Sequence, residues 1–352
     1  MSYVSPAASV AQSTELELEI VERVQQSRNV VSLTLRPTDP KGFVPFRAGQ
    51  HLAFRLGLPE CPVATYTISS SPRDRSGYRI SVKLEPQGRG GSDYFHHKAQ
   101  VGTMLRAIAP RGSFVLTDDD RPVILLSGGI GITPALSMLH DLASDSSRPV
   151  YFIHACNDAS EHNFRQELAG IARERPWVRI LTAYANGTAA DLIQGNCQHL
   201  GILDRDTLRS WLPLDDYRVY MCGPGAFMDA MRAALTALGL ADGDIRQESF
   251  GSPLPTSSVQ LRPAVAELSA AGVRFGRSGL NSTWDGATNL LEFAEAQGLS
   301  PDFSCRTGVC GSCQCGLLKG EVEYDEEPLD PLPEGQILLC CSRPKGPIEL
   351  DL

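Results

Sequence analysis

Cysteine carries the chemistry near the C-terminus. Cys305, Cys310 and Cys313 stand as C-x4-C-x2-C in SCRTGVCGSC, and Cys340 follows 27 positions later. Thiolates at this spacing hold a [2Fe–2S] cluster, a carrier of single electrons. Gly308 and Gly311 lie between these ligands, where a loop wrapped round an inorganic core needs positive φ and backbone N–H groups aimed at sulfur. Four thiolates also suit a structural zinc ion, although zinc sites usually pair their ligands as two short C-x2-C knuckles. Cys315 and Cys341 complicate the count, since either can stand in for a neighbour. Cys61, Cys156 and Cys197 read as ordinary small apolar residues.

A second constellation lies mid-chain. Ser127-Gly128-Gly129-Ile130-Gly131-Ile132-Thr133-Pro134 follows an apolar run and opens a helical pattern. Three glycines let the backbone turn tightly and approach a ligand, while Thr133 is placed to cap the helix and Pro134 to occupy its first position. Free N–H groups at such a helix start, with the positive end of its dipole, suit a pyrophosphate. A Gly-rich turn alone is also compatible with a plain tight turn. Tyr220-Met221-Cys222-Gly223-Pro224 ends another apolar run, so Cys222, Gly223 and Pro224 fall at the carboxyl edge of a sheet, where open α/β folds bind ligands. Alone, Cys222 reads as a buried core thiol. The two loops together point to a nicotinamide dinucleotide cleft.

The elements that must position these groups fall into three stretches. Leu16, Leu18, Ile20 and Val30, Leu33, Leu35 alternate in short runs broken by Pro37, Pro40, Pro45, Gly49, Pro59 and Pro62. This patterning predicts a small antiparallel β-barrel over residues 15–118, after a tail of 1–14. From 119 to 252 apolar strands alternate with helical stretches: strands at Val123–Leu126, Val150–Ile153, Val178–Leu181 and Val219–Met221, and helices from Pro134, over Phe164–Ala172 and over Ala226–Leu238. That alternation predicts a parallel, doubly wound α/β domain. The Pro- and Ser-rich stretch at Gly251–Pro263 reads as a linker, placed at 253–264. Residues 265–352, with hairpin-like strands, a helix at Thr288–Gln297 and the cysteine loop, suggest an α+β domain of β-grasp type.

Composition narrows the partners. The 352 residues suffice for two to three domains, 42% of them hydrophobic, and the net charge is −9. Acidity argues against nucleic acid and against anionic membranes. No stretch approaches the roughly 20 apolar residues of a spanning helix, and MSYVSPAASV has neither a basic start nor an apolar run, so a cytoplasmic protein with reduced cysteines is expected.

GGIGITP, MCGP and Glu248-Ser249-Phe250-Gly251, in this order before a C-terminal cysteine set, resemble the ferredoxin–NADP reductase superfamily. More closely, the chain resembles reductase components of Rieske-type oxygenases, the phthalate dioxygenase, vanillate demethylase and carnitine monooxygenase reductase group. The likeness runs from about Glu15 onward. It implies that Tyr66-Thr67-Ile68-Ser69 lies along a flavin ring, Tyr66 packing on it and Thr67 near its reactive nitrogen. It implies that Gly88-Arg89-Gly90-Gly91-Ser92 takes the flavin phosphate, as in FMN-dependent members. Phe250 sits where the family places an aromatic against the flavin, and C-x-S-R-P from Cys340 favours Cys340 as the fourth ligand. Without the resemblance, Tyr66 reads as a core aromatic and the glycine run as a hairpin turn. One position departs: members commonly carry an arginine two residues before the tyrosine, and here stands Ala64. The phosphate then relies on Ser92, Arg89 or another cation, with FMN preferred to FAD. His154–Phe164 (HACNDASEHNF) looks more like the reductase half of flavohaemoglobins.

Asp158 follows the second strand of the nucleotide domain, where a carboxylate favours NADH over NADPH, although it also reads as a solvated loop acid. His51, His96 and His154 receive no catalytic role. A hydride carries two electrons and the cluster accepts one, so a flavin is the sensible intermediary in the order NADH, flavin, cluster, partner. Cys222, Thr133 and Phe250 would order the nicotinamide against the ring. The acidic strip Glu321, Glu323, Asp325, Glu326 and Glu327 either steers a basic partner or is a solvated face. The resemblance implies a terminal oxygenase or demethylase as acceptor; the alternatives are a stand-alone reductase of a small acceptor and a redox-sensing protein.

Overall fold

The structure is a computed structural model that describes residues 14–248, 250, 272–284, 286, 288–303, 306, 308–309 and 311–352. The expected linker lies outside the described residues, as do Cys305 and Cys310.

Strands β1 (Glu15–Ser27), β2 (Val30–Pro37), β3 (His51–Leu58), β4 (Cys61–Thr67), β5 (Tyr78–Lys83) and β6 (Met104–Arg111) form an antiparallel sheet in the order β4-β3-β6-β1-β2-β5. Along β1 the buried Leu16, Leu18 and Ile20 alternate with the exposed Glu15, Glu17 and Glu19, the period of a strand with one face on a core. Ile68, just past β4, bridges Ile80 of β5, so the two edge strands meet and the sheet closes into a barrel. Phe54, Tyr78 and Phe95 fill its interior.

The second sheet is parallel, with order β10-β9-β8-β7-β11-β12. Its strands are β7 (Val123–Gly128), β8 (Val150–Cys156), β9 (Val178–Tyr184), β10 (His199–Leu200), β11 (Arg218–Cys222) and β12 (Ile245–Glu248). Central β7 is buried at every position, as a strand covered by helices on both faces must be. Helices Ile132–Asp145, Arg165–Glu174 and Gly225–Ala237 supply that cover. Order reverses between β7 and β11, which puts the ends of those two strands at the switch point where such sheets bind ligands.

The helix start differs from expectation. A 3-10 turn at Gly129–Gly131 leads into Ile132–Asp145, so Thr133 and Pro134 are its second and third residues, not cap and first. The Thr133 hydroxyl donates to the Ile130 carbonyl at 3.1 Å. Pro134 is tolerated because the first-turn N–H groups of a helix lack partners anyway. Helix Arg165–Glu174 begins one residue later than read, because Phe164 takes a left-handed conformation at its N-cap.

In the third domain β13 (Gly272–Phe275), β14 (Leu280–Thr283), β15 (Gln314–Lys319), β17 (Gln336–Leu338) and β19 (Ile348–Leu350) form a mixed sheet, β14-β13-β19-β15-β17, and β16 (Val322–Tyr324) pairs with β18 (Ser342–Pro344). Asn289 caps the helix Leu290–Ala296 by accepting from the Glu292 N–H at 2.9 Å. That helix buries Leu290, Leu291, Phe293 and Ala294 in the core formed with Phe275, Ile348 and Leu350. Among the described residues no helix is long and apolar enough to cross a membrane.

Candidate functional site

A cleft of about 530 Å³ runs along β4 and is walled by Tyr66, Thr67 and Ala64 from the barrel, by Thr133 from the nucleotide domain, by Glu248 at the end of β12 and by Phe250 just beyond it. Tyr66 is held by Phe95, ring centroids 5.0 Å apart and edge-on. Burial raises its hydroxyl pKa, so it stays neutral. Gly90, at φ 95, turns the chain so that Gly91 meets β4. A Cβ at Gly91 would stand 3.0 Å from the Cys61 sulfur, 3.3 Å from the Ala64 Cβ and 3.4 Å from the Tyr66 hydroxyl. Ala64 therefore faces a backbone at close range, which accounts for a small residue there. The Ser92 hydroxyl is committed to Glu85, accepting from its N–H at 3.1 Å and donating to its carbonyl at 3.4 Å. Arg89 and Lys83, both on the cleft wall, are the cations near this turn. Ile68 and Ser69 do not line the cleft; Ser69 donates its N–H to the Arg79 carbonyl at 2.7 Å and anchors the segment from behind.

The two nucleotide-domain loops are packed on each other. A Cβ at Gly131 would stand 2.3 Å from the Cys222 carbonyl oxygen, and one at Gly223 would meet the Gly128 nitrogen at 3.0 Å. One at Gly128 would touch Pro224 and Phe227. Glycine is required at 131 because backbone passes there. Gly129, at φ 54, makes the turn. Cys222 ends β11 in register with Ser127 and Glu248, and it is 1% exposed with its thiol pushed far up by burial. It is a neutral thiol and does not line the cleft. Phe250 is 41% exposed on the cleft wall. Asp158 follows β8, but its carboxylate caps a short turn, accepting from the Ser160 N–H at 2.8 Å and hydroxyl at 2.6 Å, and these bonds lower its pKa. His154 is buried, bonded to Ser127 at 2.9 Å and lowered to about 3 by burial, in keeping with a structural role.

Glu248 received no role from sequence, yet one carboxyl oxygen is buried without a hydrogen-bond partner among the described residues. Burial, and next the Glu326 carboxylate, push its pKa up to about 8. A lone glutamate ending a short strand gives no local signal of this.

Around the cysteines, Gly308 and Gly311 adopt φ 71 and 72 as expected. The Gly308 N–H donates to the Cys340 sulfur at 3.2 Å. The neighbouring thiols turn elsewhere: Cys341 to the Leu338 carbonyl at 3.6 Å, Cys315 to the Gly316 and Asp351 carbonyls at 3.6 and 3.7 Å. Cys313 and Cys340 are both buried. Arg306, between the first two cysteines, sits at φ 56, stacks on Phe303 at 3.9 Å and grips Glu295 with two bonds of 2.9 and 2.6 Å. That buried pair ties the cysteine loop to helix Leu290–Ala296, a link the sequence pattern does not disclose.

The cysteine-bearing domain rests on the barrel. Val309 and Leu329 pack with Ala53, Val63 and Ile108 of β3, β4 and β6, and the Leu329 N–H donates to the Gly308 carbonyl at 3.0 Å. Arg111, ending β6, donates to Glu326 at 3.1 Å and to the Glu327 carbonyl at 2.8 Å. Glu326 thus leaves the expected acidic strip to face the barrel, and Asp325 pairs with Arg343 at 2.8 Å. Glu321, Glu323 and Glu327 stay exposed.

Comparison with known proteins bears on this arrangement. Residues 17–116 match the family described as oxidoreductase FAD-binding domain, 125–233 the oxidoreductase NAD-binding domain, and 280–345 the 2Fe-2S iron-sulfur cluster binding domain. The Flavohem-like FAD/NAD binding domain of nitric oxide dioxygenase from Vibrio cholerae O1 is 30% identical, covering 67% of this chain and 99% of that one, with a TM-score of 0.59. This chain belongs to the ferredoxin reductase superfamily. Phthalate dioxygenase reductase, described as a modular structure for electron transfer from pyridine nucleotides to [2Fe-2S], is 28% identical over 96% of this chain and 98% of that one, also with a TM-score of 0.59. It shares the three-domain order of this superfamily member. The flavohemoprotein of Pseudomonas putida is 35% identical over 239 residues, 67% of this chain and 59% of that protein. The flavohemoprotein of Bacillus cereus is 36% identical over 251 residues, 68% and 61% respectively. The chain thus spans about three-fifths of the curated relatives it matches.

Proposed function

We propose that this protein is an NADH-dependent reductase that passes electrons through a bound flavin and a [2Fe–2S] cluster to the terminal oxygenase or demethylase component of a Rieske-type system, acting in the cytoplasm. The chemistry a flavin held here would supply is acceptance of hydride from NADH, which becomes NAD⁺, and release of its two electrons one at a time to the cluster with loss of one proton. The chain's own residues bind and orient. Tyr66 and Thr67 border the ring site, and Phe250 covers it from the nucleotide side. The turn 128–131, Thr133, Cys222, Gly223 and Pro224 shape the dinucleotide site, with Asp158 keeping negative charge near the ribose end and so favouring NADH over NADPH. Arg89 and Lys83, with the backbone of Gly90, Gly91 and Ser92, suit one phosphate, which favours FMN over FAD. Cys305, Cys310, Cys313 and Cys340 hold the cluster, a donor set of four thiolates that fits iron–sulfur chemistry.

One observation carries the reading: Val309 of the cysteine loop, with Leu329 bonded behind it, packs on Val63 of β4, the strand that carries Tyr66 and Thr67, and on its neighbours β3 and β6. A flavin at Tyr66 and a cluster in that loop are then neighbours through one apolar contact layer. Anaerobic titration with NADH, followed by visible absorption and electron paramagnetic resonance, tests it. Flavin bleaching with a reduced [2Fe–2S] signal, and FMN released on denaturation, are expected; absence of bleaching, or zinc in place of iron, sinks the reading. The flavohemoprotein likeness over the first two domains favours a second reading, a reductase of a small acceptor. Rapid NADH oxidation by small acceptors, unchanged when an oxygenase component is added, would select it.

A further inference from the structure

Arg79 lies on β5, outside the cleft, yet it joins the flavin segment to both helices that face it from the nucleotide domain. Its guanidinium donates to the Ser69 carbonyl at 2.7 Å and to the Ser69 hydroxyl at 3.2 Å. The same group grips Glu167, in the first turn of Arg165–Glu174, with bonds of 2.9 and 2.8 Å. Glu167 in turn accepts from His140 Nε2 at 2.5 Å, and His140 lies on Ile132–Asp145, the helix that begins at the glycine turn. A second tether parallels the first: the Ser137 hydroxyl, one turn beyond Thr133, donates to the Ser70 carbonyl at 2.9 Å. Phe164, in its left-handed conformation, sits 5.1 Å beneath the guanidinium and limits its freedom.

Every member of this network is partnered. Burial alone would raise the Glu167 carboxyl, but the bonds from His140 and Arg79 outweigh it and hold it at about 2, so the fork stays charged at working pH. Ser69 is two residues beyond Thr67, and Ser137 is four beyond Thr133. The planar fork therefore relates the two cleft walls, flavin side and nicotinamide side, more strictly than apolar packing can.

We propose that Arg79 is a positioning residue for hydride transfer, setting the separation of the nicotinamide and flavin sites by clamping Ser69 to Glu167 and, through it, to His140. The proposal rests on the flavin and nicotinamide reading above. A misplacement of 1 Å at a reacting centre costs about 100-fold in rate. Lysine at 79 keeps the charge but not the two-pronged grip.

The test uses the flavin- and cluster-loaded protein, mixed anaerobically with NADH in a stopped-flow instrument. The limiting rate of flavin bleaching, the NADH concentration at half-maximal rate, flavin content and melting temperature are read for Arg79→Lys, Arg79→Gln and the isosteric Glu167→Gln. Expected is a limiting rate lowered about 10- to 100-fold in Arg79→Gln and Glu167→Gln, with lysine intermediate. Flavin content should be retained and the half-saturating NADH changed less than about threefold. A wild-type limiting rate in Glu167→Gln with flavin bound overturns the proposal. So does a loss that tracks flavin loss or melting temperature alone, which would make the network merely structural. If NADH fails to bleach the wild-type protein, it is the functional reading that falls, a result distinct from either.

Discussion

Removing the Arg111 side chain should slow electron delivery from flavin to cluster while leaving flavin reduction by NADH intact. Arg111 makes two charge-assisted bonds across the interface, to Glu326 at 3.1 Å and to the Glu327 carbonyl at 2.8 Å. The Arg111 and Glu326 side chains are 16% and 21% exposed, so water screens them only in part. Bonds to charged groups contribute about 1.5–3 kcal/mol when buried, and exposed pairs at most about 1. The pair of contacts in this half-sheltered setting should therefore contribute about 2 kcal/mol to docking, about 30-fold in the docked population. Val309 and Leu329 keep their apolar contacts in Arg111→Ala, so the domain is loosened and not released. In an anaerobic single-turnover experiment, flavin bleaching should keep its wild-type rate. The cluster phase, read separately by its own absorption, should slow by up to about 30-fold. Leu329→Ala added to Arg111→Ala should slow it further, since truncating a buried leucine costs about 2–5 kcal/mol. A cluster phase at wild-type rate in the double variant, with flavin and iron fully loaded, would refute the claim that this contact carries the electron.

Cys340→Ser should abolish the reduced-cluster resonance, whereas Cys341→Ser, whose thiol turns toward the Leu338 carbonyl, should retain it. Gly131→Ala forces a methyl group against the Cys222 carbonyl and should destabilise the nucleotide domain by about 3 kcal/mol or more, seen as a lower melting temperature and lost NADH binding with flavin still bound. Glu248 has a folded-state pKa raised to about 8 against an ordinary value near 4.5, so the folded protein holds a proton that the unfolded chain gives up in between. Its contribution to stability must then fall as pH rises through that window, by at most about 1.4 kcal/mol per unit, and stay flat above it. Glu248→Gln should gain in melting temperature over wild type from pH 5 to pH 8 and no further; a constant difference across that range would show the acid to be solvated.

Local sequence disclosed what depends on period and spacing. The burial of β7 along its whole length and the alternation in β1 follow from hydropathy period alone, and the positive φ of Gly308 and Gly311 follows from the crowding of a cysteine loop. Thr133 and Pro134 stand two positions further into the helix than their types suggest, because a 3-10 turn at Gly129–Gly131 carries the chain into the helix before either residue, and no side-chain cap marks it. What spacing cannot show is a charge whose partner arrives from another domain. Arg79, Glu167, Arg111, Glu326 and Glu248 each look like surface residues in their own segments. Their roles follow from the docking of domains. The acidic strip illustrates this: one run of like charge divides, Glu326 turning inward to Arg111 and Asp325 to Arg343, and the remainder stays in solvent.

Electrostatics at the three-domain junction then has one consistent solution. The barrel contributes a guanidinium, Arg111, and the other two domains contribute carboxyl groups, Glu326 and Glu248. One cation half-hidden from water stabilises one carboxylate by direct bonding, and Glu326 holds that position. A second carboxylate nearby would meet both the cost of burial and the repulsion of the first, so Glu248 is the group driven to keep its proton. The cleft wall at Glu248 therefore carries a neutral acid, with the neutral thiol of Cys222 in register with it on β11. The same Arg111–Glu326 pair holds the third domain against the barrel, so one cation both docks the cysteine-bearing domain and fixes the carboxylate that adds to burial in keeping Glu248 protonated.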